Sequence, residues 1–339
     1  MSNQPIQIGV IGTGGMGGRH IHNLATQVAN ATVVAIMDLD EDRLTTLKSE
    51  YGIDKTFTDA HALISDSDVQ AVVIASPDNT HAGFTLACLE ANKPVLCEKP
   101  LAANAEDAKR VFQTEVAKGQ QRIQVGFMRE YDPAHQKVKK VLQSKEIGSP
   151  LLFRGLHYNM TKGFHRHIED VITNSAIHDI HSAHWLMGQE IVQVYVQHIP
   201  NAANEPDTCR LLIVQLAFRD DSLGVIQVNS ESGYGYEVNV EITGETGQVT
   251  TPPLTNPLIR HKGGLTQAVE PDWLDRFDVA YINEIQSWVA GVAANNFEGP
   301  TAWDGYTSLV VADACTRSFQ TGQPETVPLA DRPSFYPTR

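Results

Sequence analysis

The first third of the chain alternates short apolar runs with amphipathic stretches. Ile6–Ile11, Thr32–Met37, Ala71–Ala75, Pro94–Leu96 and Ile123–Gly126 are apolar runs of strand length. Between them, residues 15–28, 41–50, 80–92 and 104–118 place apolar side chains at helical spacing. Alternation of this kind predicts a parallel, doubly wound sheet with helices on both faces. Beyond about residue 130 the apolar stretches lengthen and alternate, at Leu151–Tyr158, Ile191–His198, Arg210–Phe218, Leu223–Ser230 and Tyr236–Thr243. Asp220-Asp221 and Gly244-Glu245 supply turn chemistry between successive strands. This predicts a mostly antiparallel open sheet, with helices near 134–143, 175–187, 275–293 and 305–320. Residues 251–270, rich in Pro, Gly and Thr, read as a long surface loop. The fold class is therefore α/β, with an N-terminal Rossmann-type domain over residues 1–128 and an α+β domain over 129–339. The cleft between the two is the expected active site.

Length supports that division, since 339 residues suffice for two cores of ordinary size. Hydrophobic and charged fractions of 42% and 19% are those of a soluble globular protein. No apolar run is long enough to span a membrane, and the polar start Met1-Ser2-Asn3-Gln4-Pro5 does not read as a signal peptide. A net charge of −14 argues against nucleic acid or an anionic membrane surface as partner. Cys88, Cys97, Cys209 and Cys315 lie singly, without C-x-x-C spacing. They read as reduced, buried residues of a cytoplasmic protein.

Candidate chemistry begins at Gly12-Thr13-Gly14-Gly15-Met16-Gly17, a G-x-G-x-x-G turn after a strand and opening a helix. In that context Gly12 permits the turn, Gly14 lets backbone approach a pyrophosphate, and Gly17 allows close helix–strand packing. The helix start, Met16 included, offers N–H groups to phosphate. Asp38 ends the second strand, where a carboxylate accepts from the adenosine ribose hydroxyls and repels a 2′-phosphate. The predicted cofactor is NAD rather than NADP, although Arg43 lies close enough in sequence to soften the preference; a helix N-cap is the alternative role for Asp38. In Ser76-Pro77-Asp78-Asn79-Thr80-His81, short polar residues follow a third strand. Ser76, Asn79 and His81 are placed to touch the cofactor, while Asn79 and His81 could equally cap the next helix. Cys97-Glu98-Lys99-Pro100 follows a fourth strand. A lysine there is hard to explain as structure and is a candidate proton donor or oxygen-polarising cation.

Taken together, Gly12/Gly14/Gly17, Ser76 to His81 and Glu98-Lys99-Pro100 resemble the Gfo/Idh/MocA family of sugar and cyclitol oxidoreductases. Gly126-Phe127-Met128-Arg129, Tyr234-Gly235-Tyr236-Glu237 and Ala302-Trp303-Asp304-Gly305-Tyr306 are similar to segments of its inositol-dehydrogenase branch, so the resemblance runs almost the whole length. It implies that Lys99 lies between nicotinamide and the reacting hydroxyl, and that His178 is the general base. Glu98 joins the cofactor-binding set, and Arg129, His157, Asn159 and Tyr236 fall at substrate contacts. A small polyol or sugar is the implied substrate, and the family's exposed second-domain sheets imply a dimer or tetramer.

Two positions depart from that branch. Asn174 stands four residues before His178, where an aspartate is usual. It can orient the imidazole through its carbonyl oxygen but cannot stabilise imidazolium by charge, which predicts a less alkaline pH optimum or a different substrate. His181 stands where an acid is usual. With His178 and His184 it forms an i, i+3, i+6 series, which spreads around a helix instead of matching the i, i+4 of zinc pairs, so no metal is expected. His165 and His167 read as rim residues. The implied activity is oxidation of a cyclitol ring hydroxyl to a ketone. The alternatives are the same chemistry on an aldose or anhydrosugar, and a catalytically silent NAD-sensing regulator.

Overall fold

The computed structural model describes residues 4–161, 167–252 and 256–336. It divides into two compact units. Among the described residues, one takes 4–128, 280–307 and 331–336, the other 129–161, 167–252, 256–279 and 308–330. Segments late in the sequence therefore complete the first unit.

In the first unit the predicted alternation is present. Strands β1 (Ile6–Ile11) and β2 (Ala31–Met37) flank helix α1 (Gly15–Thr26), and helix α2 (Glu41–Tyr51) follows. Two short elements, β3 (Lys55–Phe57) and α3 (Ala60–Ser65), come in addition to those predicted. Then come β4 (Ala71–Ile74), α4 (Asp78–Glu90), β5 (Val95–Glu98), α5 (Ala105–Lys118) and β6 (Ile123–Gly126). Among the described residues these strands form a six-stranded parallel sheet in the order β3-β2-β1-β4-β5-β6. The order reverses between β1 and β4, and the carboxyl ends of those strands are where such sheets bind ligands. β1, β4 and β5 are almost wholly buried, so they read as continuous apolar runs rather than alternating ones.

The second unit begins with a 3₁₀ turn at Met128–Tyr131, whose last three residues belong to it, and α6 (Pro133–Ser144). Strand β7 (Pro150–Tyr158) leads to α7 (Ile168–Val171), a π-helical turn at Ile172–Ala176, and α8 (Ile177–Met187). Strands β8 (Ile191–Ile199), β9 (Leu211–Phe218), β10 (Leu223–Asn229), β11 (Glu237–Gly244) and β12 (Gln248–Thr250) follow. With β7 and β15 (Glu325–Thr326) they form, among the described residues, a seven-stranded sheet, β12-β11-β7-β10-β9-β8-β15. Every neighbouring pair is antiparallel except β7 with β10, so the sheet is mixed. The alternating burial of β9 to β11 explains why their period is legible in the sequence.

The segment read as a loop differs from expectation. It carries an exposed hairpin of β13 (Leu258–His261) and β14 (Gly264–Gln267). Its turn is made by Lys262 and Gly263, both at positive φ as a tight two-residue hairpin turn requires. Helices α9 (Trp273–Ala294) and α10 (Ala302–Thr321) complete the element order. Among the described residues no helix is long and apolar enough to cross a membrane. All four cysteines are buried and unbridged.

Candidate active site

The Gly-rich turn is shaped by contacts that only glycine tolerates at two positions. Gly12 adopts φ +84°, and a Cβ there would lie 2.6 Å from Ala75 O and Ser76 N. A Cβ on Gly17 would lie 1.8 Å from Gly12 O, so close packing of α1 on the turn requires glycine. Gly14 is different. It is exposed, nothing lies within 4 Å of its Cβ position, and it begins α1 without a side-chain cap. The open space and uncapped first-turn amides fit a nucleotide pyrophosphate.

Asp38 sits beside this turn. One carboxylate oxygen accepts from both the amide and the hydroxyl of Thr13 at 2.7 Å, and the other from Asp40 N at 3.1 Å. Arg43 approaches at 3.4 Å. Burial pushes the Asp38 carboxyl up, but the Thr13 and Asp40 hydrogen bonds and Arg43 outweigh it and hold it below the usual carboxylate range. The oxygen bonded to Thr13 and Arg43 is fully used, whereas the one that accepts only from Asp40 N keeps acceptor capacity for a ribose hydroxyl. The helix N-cap is not Asp38 but Asp40, which accepts from Arg43 N.

At the end of β4, Thr80 donates its hydroxyl to Pro77 O, so the 2.6 Å contact with Ser76 Oγ is a bond that Ser76 donates. Asn79 lies exposed in the first turn of α4. His81 is buried, and its ring contacts Pro100 O and Ser76 O, so it caps no helix. Glu98 is also buried. It accepts from His20 Nε2 at 2.7 Å, and its second oxygen lies 3.3 Å from the Lys99 amide. Burial raises the Glu98 carboxyl; His20, then Lys99 and His81, outweigh that and hold it low. Gly126 leaves room for this side chain, because a Cβ there would lie 2.8 Å from Glu98 Oε2. Glu98 thus underlies the half-buried Lys99.

In the second unit, Arg129, His157 and Tyr236 form one buried hydrogen-bonded chain around Asp179, a residue that the sequence reading does not single out. Arg129 donates to Asp179 Oδ1 at 2.6 Å, and His157 Nδ1 lies 2.8 Å from Asp179 Oδ2. The same nitrogen is 3.1 Å from Arg129. The closer, anionic partner makes Nδ1 the protonated nitrogen, leaving Nε2 to accept from Tyr236 Oη at 3.2 Å. Burial pushes the Tyr236 phenol up to about 12, so it remains a donor. Burial also raises the Asp179 carboxyl, yet Arg129 and His157 hold it below its ordinary range. Gly155 of β7 makes room here, its Cβ position lying 3.0 Å from Phe153 and 3.7 Å from Asp179. Asn159 is half-buried, and its backbone bonds to Asn229 and Ser232.

His178 is buried near the start of α8, and Asn174 is exposed on the π-helical turn before it. Single π turns recur at functional sites. The other histidines of the series have separate partners. His181 pairs with Glu130 at 2.8 Å, and His184 contacts Gln189 O at 2.9 Å. Among the described residues no group of three His, Cys, Asp or Glu could hold a metal ion. His165 lies outside the described residues, and His167 is exposed just before α7.

Residues 6–127 match the NAD-binding Rossmann domain of the Gfo/Idh/MocA oxidoreductase family. Residues 139–329 match that family's C-terminal alpha/beta domain. The chain is 45% identical to the inositol 2-dehydrogenase of Rubrobacter xylanophilus over 339 residues, covering 98% of this chain and 96% of the relative. It is 40% identical to inositol 2-dehydrogenase 2 of Saccharopolyspora erythraea over 335 residues, 98% of each. Among solved structures, myo-inositol dehydrogenase from Lactobacillus casei in complex with NAD(H) and myo-inositol matches with a TM-score of 0.94. That protein is 32% identical, and the match covers 98% of this chain and all of the other.

Proposed function

The chain belongs to the Gfo/Idh/MocA oxidoreductase family and carries its NAD-binding domain, and from that premise we propose that it oxidises a ring hydroxyl of a myo- or scyllo-inositol-type cyclitol to the ketone. One observation carries the reading. A chain similar to inositol 2-dehydrogenases along its whole length keeps Arg129, His157 and Tyr236 as fixed polar groups around a buried carboxylate. Neutral polyols are recognised by such preorganised donors and acceptors rather than by net charge.

Bound NAD would supply the hydride acceptor. The first-turn amides of α1 and the Asp38 carboxylate hold the nucleotide, and Asp38 disfavours a 2′-phosphate. His178 takes the hydroxyl proton as general base, a role suited to a neutral imidazole near neutral pH. Lys99 stabilises the alkoxide developing on the substrate oxygen. Asn174 orients the His178 ring through its carbonyl oxygen. Arg129, His157, Asn159 and Tyr236 recognise the remaining hydroxyls.

The test is NADH formation by the full chain with a panel of inositols, hexoses and anhydrosugars. Turnover on an inositol supports the reading; turnover on aldoses alone overturns the substrate assignment. NAD binding with no turnover on any polyol overturns the activity and leaves a nucleotide sensor. On this reading Lys99→Ala and His178→Ala each lower kcat by about a hundredfold or more. We also read the protein as a cytoplasmic dimer or tetramer, supported by the exposed Leu151, Ile199 and Leu223 of the second sheet. A monomeric mass in solution overturns the oligomer.

A further inference from the structure

His81 is buried in α4, and both nitrogens of its ring lie at hydrogen-bond distance from main-chain carbonyls. Nδ1 is 2.7 Å from Pro100 O and Nε2 is 2.8 Å from Ser76 O. A carbonyl oxygen only accepts, and a neutral imidazole has one N–H and one lone pair. The neutral ring would therefore press a lone pair against one of the two oxygens, and only the doubly protonated ring satisfies both. The two carbonyls belong to different segments. Ser76 lies in the turn between β4 and α4, and Pro100 follows Lys99.

We infer that His81 is a buried imidazolium that staples the β4–α4 turn to the Lys99–Pro100 segment and so acts as a positioning residue for Lys99. The surroundings suit the charge. Burial works against it, but the Cys97 sulfur beside the ring and the two carbonyls outweigh burial and hold His81 up at about 10. The Glu98 carboxylate, which His20 also approaches, is held low partly by the His81 charge. His81 thus touches neither cofactor nor substrate on this account. Its effect on turnover rests on the proposed role of Lys99, whereas its charge state does not.

The charge state is read by nitrogen NMR of the full chain labelled in histidine, without substrate. Assignment comes through bonds within the residue and from His81→Gln. At about pH 8.5 the His81 ring is expected to show two protonated nitrogens; one protonated nitrogen overturns the staple whatever the enzyme oxidises. Positioning is read by a double-mutant cycle with Lys99→Ala. His81→Gln is expected to lower kcat tenfold to about a hundredfold, the scale of a small misplacement of a reacting group. In the Lys99→Ala background it is expected to change kcat less than twofold. Equal losses in both backgrounds overturn action through Lys99.

Discussion

Asp179 accepts a 2.6 Å bond from Arg129 on one carboxylate oxygen and holds His157 at 2.8 Å on the other. One buried carboxylate thereby fixes a guanidinium and selects an imidazole tautomer. Three groups proposed to touch substrate share this one anchor, with Tyr236 at the far end of the chain.

Removing that charge strands the guanidinium. Asp179→Asn keeps the side-chain shape but leaves Arg129 buried without its counter-charge, which typically costs about 3–5 kcal/mol. Replacing both residues together, as Arg129→Met with Asp179→Leu, is expected to cost less than Asp179→Asn alone. Denaturant unfolding of the two variants compares them. A double variant less stable than the single one would contradict the buried-pair account.

The Gly-rich turn separates packing from binding. A Cβ on Gly17 meets backbone at 1.8 Å, and one on Gly14 meets nothing within 4 Å. Gly17→Ala is therefore expected to lower Tm by several degrees, because neither Gly12 nor α1 can yield without moving the turn. Gly14→Ala is expected to leave Tm unchanged and to weaken NAD binding about tenfold by filling the approach to the pyrophosphate. Thermal melts without cofactor and NAD titration check the two effects separately.

The same contrast shows what is legible in the chain. β1, β4 and β6 are buried apolar runs bounded by turn residues, and the periodicity of the second sheet survives because each strand has one wet face. β3 and α3 escape because three and six residues are too few to display a period. The 258–267 hairpin escapes because both of its faces are exposed and no apolar alternation marks it. Asp179 is hidden beside His178, since adjacent residues on a helix face different ways and a single carboxylate carries no spacing signal. His81 reads as a cofactor ligand by its place after a strand, and Glu98 by resemblance alone; neither reading foretells the partners within the fold. Their side chains run to His20 and to main-chain carbonyls, contacts that only tertiary packing decides.

Glu115 ties residues late in the chain to the first unit in a pH-dependent way. Its carboxylate accepts from Arg122 N and Ile123 N at 2.7 Å and from Tyr336 Oη at 2.6 Å. Burial nevertheless dominates these bonds and pushes Glu115 up to about 7. The folded state thus favours the protonated acid. Its stabilising contribution is full below the unfolded value near 4.5 and is lost as pH rises through about 7. Glu115→Gln keeps an oxygen for the two amides and a donor for the Tyr336 oxygen, with no charge to desolvate. The variant is expected to gain stability over the wild type by roughly 3 kcal/mol between about pH 4.5 and pH 8. Parallel melts across that range check it, and a constant gap would contradict the assignment.

Asn174 offers the corresponding test at the proposed base. It precedes His178 by four residues, across the junction of the π-helical turn and α8, so the two side chains project from neighbouring turns. An asparagine there can orient the imidazole but gives imidazolium no charge to lean on. Introducing a carboxylate favours the protonated ring, because an opposite charge within a few ångströms stabilises the charged form. Since the general base must be neutral to take the hydroxyl proton, Asn174→Asp is expected to move the rising limb of the kcat/KM–pH profile upward. Asn174 is exposed, and water screens the added charge, so the expected displacement is about half a pH unit to one unit. Asn174→Ala removes orientation without adding charge and is expected to lower kcat without displacing the limb. A profile unmoved by Asn174→Asp would mean that His178 is not the base whose ionisation the profile reports.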